Sequence, residues 1–90
     1  MYLHLGQDTV VRVQDIIGIF DLENATVSKS TKTFLSRATK EKRVINVTNE
    51  LPKSFVICVD KYFHQTVYIS QISTATLKKR TGYVDHISNV

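Results

Sequence analysis

The sequence predicts an α+β domain built on a mostly antiparallel sheet, with a central hairpin, one mid-chain helix and a short C-terminal helix. Three observations carry that prediction. Residues 53–72 hold the densest apolar run and read as two strands around a short polar turn. The first twenty or so residues alternate or are β-branched, punctuated by Gly6 and Asp15. Residues 31–42 and 74–80 carry short helical patterns rich in Lys and Arg. Within the central run, Phe55, Ile57 and Val59 fall on one face of the first strand, and Val56 and Cys58 on the other. A strand that is apolar on both sides belongs in the middle of a sheet. Its cover must come from the rest of the chain or from a neighbouring subunit.

The elements follow in order. Tyr2-Leu3-His4-Leu5 alternates and stops at the turn signal Gly6-Gln7-Asp8. Thr9-Val10-Val11-Arg12-Val13 is β-branched and reads as the partner of a first hairpin. Ile16-Ile17-Gly18-Ile19-Phe20 supplies a third strand, in which Gly18 signals a bulge or a close backbone approach. These three strands are expected to form a β-meander. A polar loop with candidate caps at Asn24, Thr26, Ser28 and Ser30 leads into the helix at residues 31–42, whose apolar stripe is Val27, Phe34, Leu35 and Ala38. Lys40, Lys42 and Arg43 crowd its C-terminal end, where they complement the helix dipole. Val44-Ile45-Asn46-Val47-Thr48 alternates as a fourth strand, and Pro52 fixes the entry into the central hairpin. Ser73 caps a short helix at residues 74–80, closed by Gly82. Residues 1–82 make a single α+β domain, and residues 83–90 are a tail, either a short strand or a loose end.

Composition narrows the class. Ninety residues suffice for one core and not two. At this size the stability margin is of the order of 5–10 kcal/mol, and self-association is a common way to add to it. Cys58 is the sole cysteine, lies in the most apolar strand and behaves as a small hydrophobe. With no charged and apolar leader, and no apolar run near the roughly 18 residues that cross a bilayer, the expectation is a cytoplasmic protein without a membrane segment.

The net charge of +4 is unevenly placed. Residues 1–27 set Arg12 against Asp8, Asp15, Asp21 and Glu23. Residues 28–53 set Lys29, Lys32, Arg37, Lys40, Lys42, Arg43 and Lys53 against Glu41 and Glu50. Residues 54–90 set Lys61, Lys78, Lys79 and Arg80 against Asp60 and Asp85. Such segregation points to a polyanion partner, weighed against the plainer reading of two solvated helix faces.

Catalytic constellations are not evident. His4, His64 and His86 are far apart, and none has a Cys or carboxylate at a metal-ligand spacing. His4 reads as an exposed strand residue and His64 as a solvated turn residue. No glycine-rich phosphate loop exists, since the glycines are Gly6, Gly18 and Gly82. The scattered acids offer no acid–base pair. The expectation is a protein that is not an enzyme and uses no cofactor or metal.

A family resemblance adds to this reading. The segments Met1-Tyr2-Leu3-His4-Leu5-Gly6 with Val10-Val11, Asp15-Ile16-Ile17-Gly18-Ile19-Phe20-Asp21, Pro52-Lys53-Ser54-Phe55-Val56 and Ser73-Thr74-Ala75-Thr76-Leu77-Lys78-Lys79-Arg80 stand in a fairly specific order and spacing. In these the chain resembles the bacterial extracellular-matrix regulators of the RemA/RemB family, the RemB branch most closely. The resemblance implies a small DNA-binding transcriptional regulator of Firmicute biofilm-matrix genes that works as a ring-like oligomer. It also implies a DNA-contact element just before the central strand, an arginine pair in the RemA branch. Leu51 and Pro52 occupy those positions here, followed by Lys53.

Two functions therefore compete. In the first, Lys40, Lys42, Arg43 and Lys53 converge at one end of the sheet, Lys78, Lys79 and Arg80 form a second cluster, and both hold duplex DNA phosphates. Aromatic and basic residues do not interleave as in single-strand binders, which favours duplex DNA over RNA. In the second, the protein is an oligomeric scaffold for a protein partner, such as a paralogous RemA-type regulator, with Tyr62, Phe63 and Tyr68 at subunit contacts. The missing arginine pair and the two-sided apolar strand favour the scaffold.

Overall fold

The apolar run does become a central strand. The computed structural model describes residues 1–23 and 28–81. Among the described residues the elements are β1 (Tyr2–Gly6), β2 (Thr9–Arg12), β3 (Ile16–Asp21), α1 (Lys29–Lys40), β4 (Val44–Asn46), β5 (Ser54–Val59), β6 (Gln65–Ser70) and α2 (Thr74–Thr81), with a 3-10 turn at Val13–Asp15. A four-stranded sheet has the order β3-β5-β6-β4, and β1 and β2 form a separate two-stranded sheet. Three strand pairs are antiparallel, and β4 pairs with β6 in parallel. The α+β class and the central hairpin thus hold. The expected caps Asn24 and Thr26, Val27 of the apolar stripe, Gly82 and the tail at 83–90 lie outside the described residues.

The expected meander is not formed. β1 and β2 pair with each other, but β3 leaves them through the 3-10 turn and pairs with β5. The reason is apolar area. Pairing with β5 packs Ile16 and Ile19 against one buried cluster and stacks Phe20 on Phe55 over the other, at 4.9 Å between ring centroids. Gly18 marks the bulge that its sequence position suggests, since the register slips between Ile16 and Gly18. A Cβ at Gly18 would lie 2.4 Å from the Phe20 ring, so the glycine lets that ring fold back over the strand.

Both faces of the sheet are covered by the chain itself. On one side Phe55, Ile57 and Val67 pack against Ala38, with Phe34, Leu35, Leu22 and Val44 around them. On the other, Val56 and Cys58 pack with Leu3, Leu5, Val11, Val47 and Leu77. The β1–β2 hairpin and α2 are therefore one lid and α1 is the other. Two buried serines, paired across β5 and β6, fasten the first lid. Ser70 Oγ donates to the Leu5 carbonyl at 2.6 Å, and Ser54 Oγ donates to the Ile72 carbonyl at 2.7 Å. The two-sided strand consequently needs no subunit to cover it, and that argument for a scaffold lapses.

Topology then fixes where charges go. β3 and β4 are parallel, on opposite edges of one sheet, and α1 is the crossover between them. A crossover between parallel strands must travel from the end of the first to the start of the second. α1, about 18 Å long at 1.5 Å per residue, makes that journey over the sheet.

Candidate nucleic-acid interface

α1 begins two residues earlier than its pattern suggests because Ser28 is the cap. The Ser28 hydroxyl accepts from Thr31 N–H at 3.1 Å. Ala38 is buried, and Phe34 and Leu35 are half-buried against the sheet. The far end closes in a Schellman arrangement: Arg43 N–H donates to the Ala38 carbonyl at 2.9 Å and Lys42 N–H to the Thr39 carbonyl at 3.0 Å. Lys42 is therefore outside the helix, not in it as the sequence pattern suggests, and it takes the left-handed conformation with φ +60. Glycine normally fills that position, because a Cβ there costs about 1–2 kcal/mol.

The seven cations expected to bind DNA fall into different surroundings. Lys40 and Lys42 are exposed at the exit of α1, with no carboxylate partner among the described residues. Arg43 is structurally committed. Its guanidinium pairs with Glu41 at 2.7 Å, donates to the Gln65 side chain and lies 6.0 Å from the Phe34 ring centroid. These contacts pin the start of β4 to the start of β6.

Lys53 does not join that group. β4 runs parallel to β6, so Arg43 lies beside the start of β6 while Lys53 lies beyond its end, donating N–H to the Ser70 carbonyl at 2.8 Å. The two are separated by about five strand residues, some 16 Å. The expected convergence at one end of the sheet is thus corrected: the helix exit and the loop before β5 are at opposite ends. Lys53 Nζ is 3.8 Å from Glu23 Oε1, while Leu51 beside it is 82% exposed and uncharged. Lys78, Lys79 and Arg80 belong to the last turn of α2, on the other side of the sheet from α1. Three consecutive helix positions point about 100° apart, so this cluster shares no single face. Arg80 also reaches the His4 carbonyl at 3.5 Å.

Sequence reading treated Lys29, Lys32 and Arg37 as bulk charge. They share the outer face of α1 with Lys40, and all four are exposed. The signal was present in their spacing at 29, 32, 37 and 40, opposite the apolar stripe.

A second groove mixes Arg12, Asp15, Cys58, Asp60, His64, Thr66 and Tyr68. It offers no activated nucleophile. Burial, helped by nearby Asp15, pushes the Cys58 thiol up from its ordinary 9.0 to about 11, and burial raises the Tyr68 hydroxyl too. The Asp60 carboxyl is held below its usual range, mainly by the His64 backbone N–H donating to it at 3.0 Å, with Tyr62 N–H at 2.8 Å adding to this. That is a turn-capping role. Among the described residues no three His, Cys, Asp or Glu side chains gather as metal ligands, and no helix is long and apolar enough to cross a membrane.

Comparison with known proteins bears on this surface. The family model RemA-like, described as extracellular matrix regulatory protein A-like, matches residues 2–81. Extracellular matrix regulatory protein B of Bacillus subtilis (strain 168) is 39% identical over 89 residues, which is 99% of this chain and 100% of that protein. The match spans both lids, the sheet and the helix exit alike. The chain belongs to the RemA-like family of extracellular matrix regulatory proteins.

Proposed function

We propose that this protein is a non-enzymatic transcriptional regulator of extracellular-matrix genes that binds duplex DNA as a ring-like homo-oligomer. The kinship with a protein named for matrix regulation supports the regulatory part. One observation carries the DNA part: Lys42, charged and exposed, stands at a left-handed position that a glycine would fill without strain. Exposed Lys40 lies two residues away in sequence, so the helix exit presents cations at some cost to local stability. Such groups grip phosphates without reading sequence. One copy offers few contacts, and a ring would repeat them along a bent duplex.

Retention of a duplex oligonucleotide by the purified full chain, titrated with salt and with particle mass measured alongside, tests this. If about six phosphates are neutralised per bound unit, log affinity should fall against log salt with a slope near −5. No retention at low salt, or a monodisperse monomer at micromolar concentration, rules the reading out.

A specific feature favours a second reading, the protein-binding scaffold. At the tip between β5 and β6, Phe63 is 88% exposed and also left-handed, with φ +65, beside exposed Tyr62. An exposed aromatic in a strained turn suits a protein contact better than a phosphate. An intact oligomer that ignores DNA but dissociates on Phe63→Gly would favour this reading.

A further inference from the structure

We propose that the outer face of α1 is the ridge on which duplex DNA phosphates sit, in place of the loop before β5. This rests on the DNA-binding reading above and says where on the molecule the duplex lies. Around the helix, Lys29, Lys32, Thr33, Ser36, Arg37 and Lys40 fall within one stripe, opposite Phe34, Leu35 and Ala38, and all six are exposed. Two shallow open depressions border that stripe, one along Lys29, Thr33 and Arg37, the other along Lys32, Ser36 and Lys40. The hydroxyls of Thr33 and Ser36 lie between the cations and add neutral donors to the same surface.

A solvated helix face does not explain the arrangement. α1 has no carboxylate at any position, and none in its first turn, where the dipole favours one. Lys29 and Lys32 instead place like charges three residues apart at the positive end of the dipole. Each local effect is unfavourable. Solubility would be served as well by Glu at either site, so the sign of the charge has a different cause.

Dimensions agree with a duplex. Lys29 to Lys40 spans about 16 Å of helix axis. That length of duplex carries about nine phosphates, enough for four cations to find partners. The crossover route then matters, because α1 carries this charge from the end of the sheet where β3 finishes to the exit at Lys42. The loop before β5, by contrast, offers uncharged Leu51 and Pro52, and a Lys53 close to Glu23.

The test uses the full chain and two double variants, Lys29→Glu with Lys32→Glu, and Arg37→Glu with Lys40→Glu. Duplex retention is measured against salt, with thermal melting of each variant alongside. The first variant should lose at least about tenfold in affinity at low salt, and its salt slope should shrink by about 2. Its melting temperature should stay level or rise, because Glu suits the first turn. A fold failure would lower the melting temperature instead, and the second variant, on the last turns of the helix, then repeats the binding test independently. If the parent binds and both variants bind as well as it does, α1 is not the ridge, although the regulator reading stands. If the parent itself does not bind, that reading falls and this one with it.

Discussion

α1 and α2 look alike in outline and differ in what their charges are for. Both begin at a serine cap, Ser28 for α1 and Ser73 for α2, where the Thr76 N–H donates to the Ser73 hydroxyl at 3.2 Å. Both end in basic residues. In α2 the three cations Lys78, Lys79 and Arg80 are confined to the last turn, where the dipole favours them. Their positions have a sufficient local cause. In α1 the cations begin in the first turn and continue to the last, so the dipole explains Arg37 and Lys40 but opposes Lys29 and Lys32. The helix whose charge is locally unexplained is the better place to look for a polyanion.

The packing differs in the opposite sense. Leu77 of α2 is fully buried among Leu3, Leu5 and Val56, whereas Phe34 and Leu35 of α1 remain half-buried. Leu77→Ala should therefore cost about 2–5 kcal/mol. Leu35→Ala should cost about 1–2 kcal/mol, in keeping with its smaller loss of buried area. Urea denaturation of the two variants checks this, and equal losses would break the contrast between an anchored helix and a more lightly docked one.

The exit of α1 gives a smaller and sharper effect. Lys42→Gly should raise stability by about 1 kcal/mol, since it relieves the left-handed strain. It should also weaken duplex retention and reduce the salt slope by about 1. A gain in stability with unchanged retention would make Lys42 a packing accident and remove the observation on which the DNA reading chiefly stands.

A pH effect separates the two lids by chemistry. Cys58 lies under the β1–β2 and α2 lid. Its thiol ionises near 9 when unfolded and near 11 when native. Between those values the native state holds the extra proton, so stability should fall as pH rises from about 9 to about 11. Tyr68, also raised by burial, pushes the same way. A denaturation midpoint at pH 10 that equals the one at pH 8 would contradict the burial of Cys58. Alkylation of that thiol at pH 8 should be slow in the parent, faster in Leu77→Ala and unchanged in the charge variants of α1.

Much of the fold was legible because it depends on short-range pattern. Ser54–Val59 read as central because it is apolar on both faces, and Gly18 read as a bulge or a close approach because glycine inside a strand pattern signals one or the other. The N-terminal third was partly misread: the strand pattern of Ile16–Phe20 is compatible with either neighbour, and only its packing against β5 in the fold decides. The candidate site was legible as charge and illegible as place. Lys40, Lys42, Arg43 and Lys53 stood out as cations, yet Arg43 is occupied by Glu41 and Gln65, and Lys53 lies at the far end of the sheet.

Sequence by itself settled which residues are cationic, which faces are apolar and where the chain turns, since these follow from side-chain chemistry and periods of 2 and 3.6. Tertiary structure alone decided that β4 joins β6 in parallel, and with it that the helix exit and the loop before β5 lie at opposite ends of the sheet. Strand direction depends on which edge of the hairpin offers unpaired backbone groups and apolar cover, and no local spacing encodes that choice.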